Sequence, residues 1–327
     1  MTDSAEPVSE VRPSPAPRVR LQPHEIIAAL YFIAGVIVLE RLPVTYPRAA
    51  IFLAHSVPTL SIFALAAAMS FFRFRSRRER WRHELRDIAR CCVSIALVFS
   101  VSFVVKSFIH LVNSRVWDRE LFAVDRMLHF GHSPTIFLVT LLDDVWFLHF
   151  LDFYYSLFYA VMFLAVPALL LAFLGHRGRV RFTAALVLMW IAGNVLYLVL
   201  PSWGPAFSDT ALVLQALQSM PRTVWVQTQL YGELSSLVHA PLAPRFAKFG
   251  SVAAFPSLHV AVVTLFALAT RKLLPAGAAL LLIAVVLMQV GSVVTGYHFM
   301  VDGYAGALLA VLGWVVAGMW TRTLAES

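Results

Sequence analysis

Apolar runs of about twenty residues, separated by short polar stretches, recur along almost the whole chain after residue 22. A helix of that length rises about 30 Å, the thickness of a bilayer's hydrocarbon core. The runs place spans near 25–40, 49–72, 91–112, 152–174, 182–200, 252–270, 276–294 and 303–320. Residues 135–150 are apolar too, but Asp143, Asp144 and His149 interrupt them, which predicts a helix lying in the interface and not a crossing. Residues 1–22 are polar and proline-rich and predict a disordered tail. The apolar run after them begins late and has no small-residue cleavage site, so it reads as a retained span and not a signal peptide. No inverted internal repeat is visible. The expected architecture is an all-α polytopic membrane bundle of about eight spans, divided into N-terminal spans over 23–112 and a second membrane unit over 113–327.

Composition strengthens this. Of 327 residues, 60% are hydrophobic and 13% charged, and the mean hydropathy is +0.77. Soluble domains carry about 25% charged residues, so this chain lacks the polar surface to face water on all sides. The net charge of +8 would suit a nucleic-acid partner, but the basic residues sit in short segments between spans and act as orientation signals. Cys91 and Cys92 are adjacent at the start of an apolar run, which favours packing over a disulfide or metal ligation.

Eight crossings put both termini on one side. With the N-terminus inside, the cytoplasmic segments hold 17 Lys/Arg, eight of them between Arg73 and Arg90, against eight on the opposite side. The positive-inside rule selects this orientation, giving a multi-pass protein of the cell (inner) membrane with both termini cytoplasmic. Three span ends then share the extracytoplasmic face: Leu200-Pro201-Ser202-Trp203-Gly204-Pro205 closing the fifth, Phe255-Pro256-Ser257-Leu258-His259 opening the sixth, and Gly296-Tyr297-His298-Phe299-Met300-Val301-Asp302 opening the eighth.

Each offers chemistry. Proline and serine are good helix-starting residues, and His259 follows in the first turn, where free N–H groups and the helix dipole favour an anion such as phosphate. His298 and Asp302 are four apart and share a helical face. The carboxylate can take one imidazole N–H and leave the other nitrogen as a nucleophile, the orienting logic of a catalytic triad. Taken singly, each histidine also reads as an ordinary interfacial polar residue, and a His-x-x-x-Asp pair also pins helices. Their conjunction on one face points to catalysis.

Pro256-Ser257-Leu258-His259 followed by Thr295-Gly296-Tyr297-His298 and Asp302 resembles the type 2 phosphatidic acid phosphatase superfamily. More narrowly it is similar to the branch of inositol phosphorylceramide synthases and their bacterial relatives. The likeness is strongest over 250–306. It extends to Leu200-Pro201 and Gly204-Pro205, and more loosely to Trp117-Asp118, Asp125 and Tyr154-Tyr155. The resemblance implies a six-helix-type catalytic core within 113–327, with His298 as the nucleophile that forms a phosphohistidine, Asp302 holding its tautomer, and His259 as the proton shuttle. It implies no metal and no cofactor.

The chain also departs from that pattern. Phosphatase members carry a Lys-x6-Arg-Pro motif before the Pro-Ser-x-His segment, where this chain has its proline-rich fifth-span end. They also carry an arginine six residues before the nucleophile, where this chain has Ser292. A phosphomonoester carries nearly two charges and a phosphodiester one, so missing cations favour a phosphodiester donor. The expected activity is therefore transfer of a phospholipid headgroup phosphate to a lipid or polyol hydroxyl. Alternatives are a lipid phosphate or polyprenyl pyrophosphate phosphatase and a non-catalytic lipid-binding or transport protein. Ser257, Pro201, Gly204 and Tyr297 are candidate substrate-binding positions. Arg222, Arg245 and Lys248 in the segment 201–250, and Lys106 inside the third span, are candidate replacement cations, each of which also reads as a surface or snorkelling charge.

Overall fold

The computed structural model describes residues 21–41, 48–142, 144–208, 211, 213–239, 252–271 and 273–323, and within these every regular element is helical. Helices α1 (Pro23–Arg41), α2 (Arg48–Phe74) and α3 (Arg78–Val112) come first. Two short helices follow, α4 (Asp118–Leu128) and α5 (Pro134–Leu141). Helix α6 (Val145–Phe153) passes through a π-helical turn at Tyr154–Phe158 directly into α7 (Tyr159–Phe173), and α8 (His176–Val199) comes next. The segment beyond α8 holds two single turns, α9 (Pro205–Ser208) and α10 (Leu214–Leu217), and the longer α11 (Pro221–His239). Helices α12 (Leu258–Thr270), α13 (Pro275–Val294) and α14 (Met300–Thr323) complete the chain.

Seven helical stretches among the described residues are long and apolar enough to cross a membrane, and α12 is a shorter apolar helix of 13 residues. The protein is a multi-pass membrane protein. Helix α12 packs against α8, α13 and α14, and Ala261, Val262, Val263, Leu265 and Phe266 are wholly buried on it. Its apolar character on every side suits that central position. The N-terminal spans are not a detached unit: α1 and α3 pack on α8, and α2 packs on α7.

Two segments differ from the expected boundaries. The arginine run does not form a loop throughout, because α3 starts at Arg78 and runs 35 residues, about 50 Å. Its basic end is held by ion pairs to neighbouring helices. Arg90 bonds Glu25 of α1 at 2.6 Å, Asp87 contacts His176 of α8 at 2.8 Å, and Glu84 pairs with the buried Arg179. Residues 135–150 likewise do not make one interfacial helix. Asp144 caps a fresh start by accepting from the Phe147 N–H at 2.9 Å, and the helix from Val145 is continuous with the fourth crossing. Asp152 does not break that helix. It is fully buried and accepts from the backbone of Arg222 (3.1 Å) and Thr223 (2.7 Å) and from the Thr223 hydroxyl (2.8 Å), which caps α11 from a neighbouring element.

Candidate active site

Helix α12 is about 20 Å long, short of the ~30 Å hydrocarbon core. The chain enters the helix through residues 252–257, which include a cis Phe255–Pro256 bond. Ser257 caps the helix at the Val260 N–H, and its own N–H donates to the Asp302 carbonyl at 2.9 Å. The starts of α12 and α14 are thereby tied together.

Buried carboxylates fix the surrounding backbone. Asp118 at the start of α4 accepts from the Ser202 hydroxyl (2.6 Å), the Trp203 N–H (3.1 Å) and the Gly204 N–H (2.9 Å). Asp125, wholly buried, accepts from the N–H groups of Met300 (3.2 Å) and Val301 (2.9 Å) and so caps α14 from outside. Burial raises the pKa of both Asp118 and Asp125 above the usual carboxylate value, opposed in each case by these donors. The 202–204 segment then joins the other two: the Ala254 N–H donates to the Ser202 carbonyl and the Ala206 N–H to the Gly296 carbonyl, both at 2.8 Å.

Within this frame His298 is 3% exposed and Asp302 wholly buried. His298 Nδ1 lies 3.4 Å from Asp302 Oδ2, which also accepts from the Phe299 N–H at 2.9 Å. Neither Nδ1 nor Asp302 Oδ1 has an aligned hydrogen bond; catalytic hydrogen bonds commonly lie long before substrate tightens them. Burial, followed by the charge of Lys106 and opposed by a bond from the ring to the Ala254 backbone, pushes the His298 pKa down to about 3. The ring is therefore neutral at physiological pH, the state a nucleophile requires. His259 presents its ring 5.9 Å from that of His298, centroid to centroid. The Tyr155 hydroxyl lies 3.3 Å from His259 Nδ1, and Tyr159 meets the same ring edge-on at 4.8 Å. Tyr155 in turn stacks on Tyr297 at 5.4 Å.

Both histidines line one cavity of about 500 Å³. Of the positions singled out by sequence, Tyr297 and Lys106 line it as well. Ser257 is a buried helix cap, and Pro201 and Gly204 belong to the supporting backbone and are not among the lining residues. Arg222 lies at the start of α11 with its side chain half exposed, 3.5 Å from Asp152. Arg245 and Lys248 fall outside the described residues. Ser292 is wholly buried, donates to the Gln289 carbonyl at 2.8 Å, and does not reach the cavity wall.

Sequence reasoning did not single out several wall residues: Tyr159 and Phe163 of α7, Trp190 and Asn194 of α8, and Ser102 of α3. Aromatic residues in apolar runs look like ordinary core. The available signal was the spacing of polar residues: Ser102 and Lys106 share a face of α3, as Asn194 and Tyr197 do of α8.

The fold and the site define a multi-pass membrane protein whose two histidines open on a cavity of about 500 Å³. A family model described as the PAP2 superfamily matches residues 119–316, and the chain belongs to that superfamily. Its members act on phosphoesters as phosphatases or phosphotransferases, and lipid phosphoester chemistry of that general kind is the function membership supports. No curated protein and no solved structure matches the chain. The match begins after α3, yet Ser102, Phe103 and Lys106 of α3 line the cavity.

Proposed function

We propose that the protein is a lipid phosphotransferase of the kind found in the inositol phosphorylceramide synthase branch. It would move a phospholipid headgroup phosphate onto a lipid or polyol hydroxyl through a phosphohistidine at His298. The observation that carries this reading is the charge of the cavity. It holds both histidines, its wall is mostly apolar, and no arginine is among its described lining residues. A phosphomonoester or pyrophosphate entering such a site would bring more negative charge than its donors offset, whereas a phosphodiester brings one.

In the first half-reaction the neutral His298 ring attacks phosphorus, and the bond from phosphorus to the diacylglycerol oxygen breaks. His259, protonated, gives its proton to that leaving alkoxide. In the second half-reaction His259 takes a proton from the acceptor hydroxyl, whose oxygen attacks phosphorus and releases His298. The ring's bond to the Ala254 backbone is given up when a phosphoryl group enters. Asp302 stabilises the charge that develops on His298 while it is phosphorylated. By the 17-to-8 distribution of basic residues the cavity faces the extracytoplasmic side, with both termini in the cytoplasm.

The test compares purified protein on an intact phospholipid and on phosphatidic acid, each with and without an added lipid alcohol. The proposal expects phospholipid consumption that rises with the alcohol and little action on phosphatidic acid. Rapid phosphate release from phosphatidic acid, unchanged by the alcohol, would assign the phosphatase reaction instead.

A further inference from the structure

Lys106 stands in an environment that needs an explanation. It lies on α3 seven residues before Asn113, about 10 Å along the helix from its end. A lysine at that depth is costly and is normally relieved by snorkelling to the surface or by an acidic partner. The Lys106 side chain lines the cavity beside His259 and His298, with Nζ 5.9 Å from the centroid of the Tyr197 ring, and no ion pair among the described residues includes it. It is the one lysine or arginine among the described residues that line this cavity.

The origin of the residue matters as much as its position. Helix α3 precedes the segment 119–316 that matches the superfamily, so the matched segment builds the histidine pair and a span before it supplies the charge. Two further polar groups belong to the same wall. Ser102, one turn from Lys106, accepts a hydrogen bond from Asn194 Nδ2 at 2.5 Å, and Asn194 Nδ2 also contacts the Tyr31 hydroxyl of α1 at 2.9 Å. Asn194 is thus held by α1 and α3, which anchors the N-terminal spans to α8 at the level of the cavity.

We propose that Lys106 is the cation that grips the phosphate of the lipid substrate, supplied by a span outside the matched segment in place of the arginines that phosphatase members carry. The identity of that substrate as a singly charged phosphodiester rests on the phosphotransferase reading; the role of Lys106 does not. A single ammonium offsets the single charge of a phosphodiester in a wall with no other lysine or arginine among its described residues, and it remains in place as charge shifts during transfer.

The experiment compares K106M and K106R with wild type in mixed micelles of defined lipid composition, varying the donor at saturating acceptor. Methionine fills the lysine's space in an apolar wall without its charge, so K106M should unfold at or above the wild-type temperature. Its kcat/KM for the donor should fall roughly 10- to 100-fold, the effect expected for loss of one hydrogen bond to a charged group, while K106R keeps most of the activity. Wild-type kcat/KM in K106M would overturn the proposal, as would equal losses in K106M and K106R. If wild type consumes phosphatidic acid and not phospholipid, the phosphotransferase reading fails, and the same comparison on phosphatidic acid still decides the role of Lys106.

Discussion

Gly204 gives the sharpest link between backbone geometry and chemistry. Its φ is +83°, and a Cβ added there would lie 2.4 Å from the Tyr297 carbonyl oxygen. The left-handed conformation costs an L-residue about 1–2 kcal/mol. The contact is about 1 Å short of ordinary van der Waals distance, so one of two backbone segments must retreat by that much. Gly204 is held by its bond to Asp118, and the Gly296 carbonyl by its bond from Ala206. The strain therefore falls on the Tyr297 peptide, whose next residue is His298. Misplacing a reacting group by 1 Å costs about 10²-fold in rate. Gly204→Ala should lower kcat by roughly 10- to 100-fold and lower the unfolding temperature in detergent. Gly232→Ala is the control, because nothing lies within 4 Å of its added Cβ in the interior of α11; it should keep kcat and gain up to about 1 kcal/mol from helix propensity. Donor consumption in mixed micelles and thermal unfolding measure both effects. Wild-type kcat and unfolding temperature in Gly204→Ala would refute the reasoning.

Three further outcomes follow from the same geometry. His259→Ala should abolish transfer with folding retained, since the ring lies on the cavity wall, while Asp302→Asn should leave residual transfer of about 10⁻⁴ of wild type, by analogy with loss of tautomer control in other triads; full activity in either would remove that residue from the mechanism. In intact cells a membrane-impermeant thiol reagent should label Arg222→Cys and spare Arg78→Cys, the native Cys91 and Cys92 being buried; the reverse pattern would place the cavity on the cytoplasmic side. Because His298 is held near pKa 3 against a usual 6.5, the unfolded chain binds a proton between those pH values that the folded protein refuses, so stability falls as pH falls through that window. The unfolding temperature should drop between pH 7 and pH 4.5 more steeply in wild type than in His298→Gln, and equal slopes would contradict the buried, neutral state of the ring.

The crossings were legible because an apolar run of about twenty residues has few other structures open to it. The breaks were less so. Asp144 and Asp152 look alike in sequence, but one starts a helix and the other lies buried against the N-terminus of α11, a difference made by residues seventy positions away. The site was legible at His259, His298 and Asp302 through their spacing, and at Lys106 through its isolation in an apolar run. Pro201 and Gly204 were also conspicuous, as proline and glycine at a span end, but residue type alone does not distinguish a wall of the cavity from the frame behind it. Tyr159, Phe163 and Trp190 gave no comparable signal, since their contact with the cavity depends on how α7 and α8 face one another.

The central claim is that phosphate passes through His298. Incubating the protein with a phospholipid labelled at phosphorus, and quenching in alkaline detergent to preserve a phosphohistidine, tests it directly. The account predicts label on the peptide carrying His298, discharged by a lipid alcohol and absent from His298→Ala. Transfer to the alcohol with no label on the protein, or label that persists in His298→Ala, would contradict it.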